Sequence, residues 1–269
     1  QRSTFDPDLS GGGARCHPSS VVSNSVFSGN SAMWAGAVYG GTVHNSTLVN
    51  NVAHKQGGGA VDSTLINCLI RGNVGDDVGG AATSTLMHCT VVENITETYP
   101  IRSEGVGGVR DCDVGNSIVV DNRYRQGLKA NFTGGRFLNS CVSPLPQDGQ
   151  NNIDSRPLFK NAEEGDFRLE ALSPCVDAGD NLFAQEPFDL AGDPRIRGVA
   201  SDIGAYEFFH EGRFTLFLEG AYEQSTGRMT THLGDNKFIP LTSPYASDPR
   251  TVAQIPSRVT DWVLMEIRE

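Results

Sequence analysis

Two acidic side chains set the first chemical question this sequence poses. Glu93 and Asp121 each stand immediately before an asparagine, Asn94 and Asn122, in copies of one recurring pattern. Gly29, Asn50 and Gly72 hold the same place in the other copies. If the copies are stacked coils, strand spacing of about 4.8 Å brings the two carboxylates near the ~5 Å separation of a retaining glycosidase's acid and nucleophile. A shared cation would suit the same spacing. No aromatic platform adjoins the pair in sequence, the inserted loop 96–106 lies between them, and a solvated face is the competing reading.

A second carboxylate group follows further on. Asp177, Asp180, Asp189, Asp193, Asp202 and Glu207 are interleaved with glycines, and oxygen-rich, glycine-punctuated loops are common material for calcium sites. Calcium held by Asp177, Asp180, Asp189, Asp202 and Glu207 is therefore one expectation. None of the spacings is that of an EF-hand loop, and Asp equally makes turns through side-chain to backbone bonds. Asp202 and Glu207 could instead pair with Arg195 or Arg197. Asp76 and Asp77 offer a smaller calcium or uronate site, with Arg71 or Lys55 nearby, although adjacent residues of an extended strand point opposite ways. The six histidines, 17, 44, 54, 88, 210 and 232, have no metal-ligand spacing, and no local Ser/His/Asp set or phosphate-cradling glycine loop occurs.

Six cysteines, 16, 68, 89, 112, 141 and 175, lack any C-x-x-C spacing, which argues against zinc or a redox dithiol. Cys68 and Cys89 share a column on neighbouring copies and read as two buried thiols. Cys141 and Cys175 bracket the end of the repeats, and a disulfide between them would fit an oxidising, extracytoplasmic location.

The elements that must position these residues are coils of a solenoid. An apolar residue precedes Asn by three positions at Phe27/Asn30, Leu48/Asn51, Ile70/Asn73, Val91/Asn94 and Val119/Asn122, and the asparagines are 21, 22, 21 and 28 residues apart. Val22, Val43, Leu65, Leu86 and Val114 fall eight residues upstream and predict an inward column. Small residues recur at Ser25, Ser46, Cys68, Cys89 and Ser117, and a polar column at Asn24, Asn45, Asn67, His88 and Asn116, where stacked amides can bond along the axis. Glycines in Gly36-Ala37, Gly58-Gly59, Gly79-Gly80, Gly107-Gly108 and Gly134-Gly135 are expected to supply the positive-φ corners. Short strands and no helical spacing predict an all-β, right-handed parallel β-helix of about six rungs over 1–150.

This pairing of Gly-Gly-Ala-aliphatic with apolar-x-x-Asn resembles the repeats of polymorphic outer-membrane proteins and related bacterial surface adhesins. The resemblance implies a secreted, cell-surface protein and says little of activity, since β-helices carry lyases, hydrolases and inert fibres alike.

Periodicity stops near Asn151. The series from Arg156-Pro157-Leu158-Phe159 through Ser173-Pro174-Cys175 to Asp202-Ile203-Gly204-Ala205-Tyr206-Glu207 resembles the C-terminal capping region of secreted bacterial β-helix proteins. It implies a cap over 151–209, with Phe159, Phe167, Leu169 and Ile203 as plugs for the open end of the coil. Alternation at 213–220 and 259–267 predicts strands. Residues 210–269 resemble the opening of a β-sandwich module near the ends of large secreted bacterial proteins. Strands left open there imply completion by further sequence or by a neighbouring copy, and the start at Gln1, without a leader, reads as a processed or excised piece.

The formal charge of −11, concentrated beyond residue 150, disfavours nucleic-acid binding. No apolar run is long enough to span a membrane. Together these features point to an extracellular structural or adhesive β-helix, with assembly into a fibre completed by strands from a neighbour as one consequence of its open strands; the other expectation is a polysaccharide lyase or glycosidase working in an axial groove. A passive carbohydrate module would need exposed aromatics, for which Trp34, Tyr39 and Tyr124 are the coil's candidates.

Overall fold

The computed structural model describes residues 10–97, 105–128 and 130–208, with the backbone of 222–223 and 228–229. The chain divides into two units, 1–210 and 211–269. In the second, Tyr222–Glu223 pairs antiparallel with Arg228–Met229; the expected strands at 213–220 and 259–267 lie outside the described residues, as do residues 98–104 of the inserted loop.

The first unit is a parallel β-solenoid of about six turns. Each turn contributes up to four strands of two or three residues, which stack into four sheets. The first sheet runs from Ala14–Arg15 to Phe132–Thr133, the second from Val21–Ser23 to Gly149–Gln150, the third from Val26–Ser28 to Cys141–Val142, and the fourth from Ser31–Ala32 to Arg123–Tyr124. All their pairings are parallel, and equivalent repeat positions are in register: Val22, Val43, Leu65, Leu86, Val114 and Phe137 form one inward column, and Phe27, Leu48, Ile70, Val91, Val119 and Val142 another. With Ala37, Ala60 and Ala81 these columns fill the lumen as one continuous core.

Corners between sheets require a left-handed residue in every turn, and three columns provide it. Gly40, Asp62, Thr83, Asp111 and Gly134 form the first; Asn24, Asn45, Asn67, His88, Asn116 and Asn139 the second; Gly29, Asn50, Gly72, Glu93 and Asp121 the third. Their composition follows from sterics, since Gly, Asn and Asp tolerate positive φ best.

The glycine doublets do something different from the expected corner-making. Gly36, Gly58, Gly79 and Gly107 are not left-handed; a Cβ at Gly36, Gly58 or Gly79 would collide with the carbonyl oxygen of the doublet glycine one turn on. Close approach of stacked backbones selects glycine at these positions. Gly134 and Gly135 do have positive φ but belong to a different column, and the fifth counterpart of the doublet is Ala130-Asn131, whose carbonyls accept from Gly108 N and Val109 N.

Residues 157–208 lie along the outside of the third sheet. Phe159–Asn161 and Asp166–Leu169 make an antiparallel pair, and Phe167, Leu169, Cys175 and Ile203 are buried with Leu69, Val92, Ile118 and Val120. Those four residues alternate with the lumen residues Ile70, Val91 and Val119, so they face outward. Phe167, Leu169 and Ile203, expected as plugs for the coil's end, thus cover its flank, with Phe159 packed beside them. Burial of such side chains stabilises by about 1.5–3 kcal/mol each. At the equivalent outward place in the first coil, Val26 is 72% exposed.

Candidate functional site

An asparagine ladder runs inside the third corner. The N–H and Nδ2 of Asn30 both donate to Asn51 Oδ1, at 3.0 and 2.9 Å. Asn51 repeats this toward Asn73, Asn73 toward Asn94, and Asn94 toward Asn122, all between 2.9 and 3.0 Å. From Asn51 to Asn122 each Nδ2 also reaches a carbonyl of the preceding coil, as Asn94 does to Ile70 O at 2.9 Å. Asn131 closes the ladder: its Oδ1 accepts from Asn122 N, and its own Nδ2 donates to Ser143 O at 2.6 Å. Asn131, only nine residues after Asn122, falls outside the 21–28-residue spacing because it enters from the glycine-doublet position instead.

Glu93 and Asp121 sit outside this ladder, on successive left-handed corners with φ of 59° and 54°. Glu93 is committed elsewhere. Arg71, in the coil before it, donates from Nε to Glu93 Oε2 at 2.7 Å. The same guanidinium lies 5.1 Å from the Phe167 ring centroid, and Gly165 approaches it so closely that a Cβ would meet Nη1. Arg71 thereby ties the coil to its lateral cover. A signal for this was available: Arg71 precedes a corner glycine by one residue, in register with the position before Glu93.

On the acidic cover, the candidate calcium ligands are brought near one another only in part, and backbone N–H groups occupy them. Asp189 Oδ1 accepts from Ala191 and Asp193, and its Oδ2 from Glu207 N. Asp202 accepts from Asp177 N and Phe208 N, Asp177 from Ala200 N, Asp180 from Leu182 N, and Glu207 from Asp202 N. Among the described residues no group of three or more His, Cys, Asp or Glu side chains is arranged to hold a metal ion.

The cation among these carboxylates is Arg195. Its side chain and that of Glu207 are each 2% exposed, with Nη1 3.6 Å from Glu207 Oε1. Nη1 also donates to His88 Nδ1 at 2.8 Å and to Gly204 O, while Nη2 donates to Ala205 O. Accepting that bond requires a neutral imidazole, and burial with the neighbouring guanidinium lowers the His88 pKa to about 3. Burial pushes Glu207 up to about 8, Asp202 adding to the rise and Arg195 opposing it; burial also raises Asp202. Arg197, by contrast, pairs with Asp193 at the surface, 2.7 Å away.

His88 belongs to the polar corner column, and three of its members, Asn67, His88 and Asn116, serve as attachment points of the cover. Asn67 Nδ2 donates to Asn45 Oδ1 and to Phe188 O; Asn116 Nδ2 donates to Asp180 O, and its Oδ1 accepts from Asp180 N. His44 contacts Glu186 at 2.8 Å.

All six cysteines are thiols. Cys68 and Cys89 are stacked and fully buried in the coil. Cys141 and Cys175 do neighbour one another: their interaction lowers the pKa of Cys141 and, with burial, raises that of Cys175, while Cys141 Sγ donates to Ser155 O at 3.1 Å. Trp34 is partly exposed, with Lys55 Nζ 4.4 Å from its ring centroid. Asp76 and Asp77 follow Lys55 one coil on, and burial raises the pKa of Asp76.

No protein-family model and no curated protein matches the chain. Among solved structures it is similar to the pectate lyase Pel9A, with a TM-score of 0.37 and 14% identity, over 70% of this chain and 65% of the lyase. That is a likeness of fold, which the strand pairing already establishes. The matched part is just under two thirds of the lyase's length.

No helix among the described residues is long and apolar enough to cross a membrane.

Proposed function

We propose that this chain is a structural and adhesive β-helix element of an extracellular or cell-surface protein. The observation that carries the reading is the use made of Glu93. The axial carboxylate best placed by sequence for groove chemistry is bound by Arg71, which also packs on Phe167 of the cover. Its role is to hold two layers together. The internal ladders and the covered flank support the same conclusion, because they favour a stiff rod over a mobile cleft. The resemblance of the repeats to surface adhesins supports the extracellular setting, and fibre formation through 210–269 extends the proposal.

The test combines immunoelectron microscopy of the native material with incubation of the protein on acidic and neutral polysaccharides, calcium present and absent. The expected result is label at the cell surface or along fibres, with no new reducing ends or unsaturated products. Depolymerisation of any of the polysaccharides would replace this reading with a lyase or glycosidase.

A further inference from the structure

At the C-terminal end of the coil, two cavities share a wall. One, of about 220 Å³, is lined by Val106, Tyr124, Phe132 and Pro144. The other, of about 200 Å³, is lined by Val120, Asp121, Asp154 and Arg156. Asn131 and Ser143 border both, and the bond from Asn131 Nδ2 to Ser143 O fixes the ridge between them. Each cavity is smaller than a typical small-molecule site of about 300–1,000 Å³, so a ligand longer than one ring would have to occupy both.

The two halves differ in chemistry. The first presents a phenol ring, a proline and Phe132, whose ring is held 4.8 Å from that of Phe137. In the second are two carboxylates and one guanidinium, an excess of negative charge that disfavours uronates, sulfates and phosphates. A ligand matching both must present an apolar face to an aromatic ring and hydroxyl donors to carboxylates. Neutral sugars do this: their axial C–H faces stack on aromatics, and their adjacent hydroxyls donate to carboxylate oxygens.

The coil also holds these groups in place. Asp121 immediately precedes the ladder residue Asn122, and Tyr124 lies on the last strand of the fourth sheet. Asp154 follows Ile153, whose N–H donates to Ser140 O and whose carbonyl accepts from Val142 N at 2.9 Å. Anchoring of this kind reduces the ordering cost of binding.

We propose that the two cavities form a two-subsite groove for a neutral oligosaccharide, with Tyr124 the platform for one ring and Asp121 and Asp154 the hydroxyl acceptors for the next. The proposal rests on the adhesive reading and adds its ligand class. A groove this open gives weak binding per copy, which a surface array strengthens through multivalency.

The experiment titrates the full chain with neutral tetrasaccharides of β-linked glucose, mannose and galactose, with tetragalacturonate and calcium chloride as separate probes, followed by calorimetry and saturation-transfer NMR. Tyr124→Ala and Asp154→Asn are compared with the parent after thermal melts show that each is folded. Saturable binding of a neutral tetrasaccharide is expected, weakened roughly tenfold by Tyr124→Ala and several-fold by Asp154→Asn. Binding of none of them, preference for tetragalacturonate, saturation by calcium alone, or binding that survives both substitutions overturns the groove and leaves the structural reading standing. Cleavage of a bound neutral tetrasaccharide would overturn the adhesive reading while retaining the ligand class.

Discussion

The lumen of the coil and the segment along its flank solve the same problem, burial of polar groups, in opposite ways. In the lumen each Asn satisfies its neighbour with neutral amides, and the solution is copied from turn to turn. On the flank Arg195 is shared by buried Glu207, His88 and two backbone carbonyls, an arrangement without a second copy among the described residues. Repetition spreads the cost of a single defect along the ladder, whereas a unique charge cluster concentrates it. A buried charge left without its partner is far more costly than a lost neutral bond.

The largest effect is therefore expected at Arg195. Arg195→Met leaves Asp189, Asp202 and Glu207 without their buried cation and should cost about 3–5 kcal/mol. Hydrogen exchange should show the loss confined to 157–208, with the lumen amides of the ladder still protected. Equal loss of protection in both regions would mean that coil and cover unfold as one unit, and the contrast between them would fail.

Next is the ladder itself. Asn94 takes part in four side-chain bonds: two accepted from Asn73 and two donated, to Ile70 O and Asn122 Oδ1. Asn94→Ala should cost about 2–4 kcal/mol, chiefly by leaving the N–H and Nδ2 of Asn73 without an acceptor. Asn30, half-buried in the first coil, should cost under about 1 kcal/mol when replaced by Ala. Denaturant melts of the two variants measure the gradient; equal losses would show that the ladder does not act by burial.

A smaller effect separates the regions by pH. Glu207 has a folded pKa of about 8 against an ordinary 4.5, so the folded state holds the extra proton between those values. Its contribution to stability is lost as pH rises through that window. His88 acts in the other direction: with a folded pKa of about 3 against 6.5, the unfolded chain holds the extra proton, and stability falls as pH drops below 6.5. The two oppose each other between 4.5 and 6.5, and Glu207 acts without that opposition above 6.5. The melting temperature should decline from pH 6.5 to 8, and Glu207→Gln should flatten this slope. An unchanged slope in the variant would assign it to other groups.

Much of the coil was legible because its determinants recur. The five apolar-x-x-Asn motifs locate the turns, and their register places Val43, Leu65 and Leu86 in one inward column. Glycine doublets were visible too, but a letter does not say whether glycine serves a positive φ or a close carbonyl, and here it is the latter. The cover was harder to read, since no repeat announces Arg195 or its partners. Its docking face did leave a trace: Leu69-Ile70, Val91-Val92 and Ile118-Val119-Val120 are apolar on consecutive positions, as strands buried on both faces are. Val26-Phe27, on the first coil, is apolar on consecutive positions too, yet Val26 is exposed, so the trace alone does not mark how far the cover reaches.

The smallest effect concerns the point where both regions meet. Glu93→Gln removes the charge from a pair whose side chains are 29% and 33% exposed, so the direct loss should be under about 1 kcal/mol. Glu93 also occupies a left-handed corner where the other coils use Gly, Asn or Asp, and Gln does not relieve that conformation. Glu93→Asn does, and it should recover part of the loss. Chemical denaturation of the two variants then separates the terms. If Glu93→Gln costs several kcal/mol, the Arg71 bridge is as critical to the cover as Arg195, and the flank depends on more than one charge.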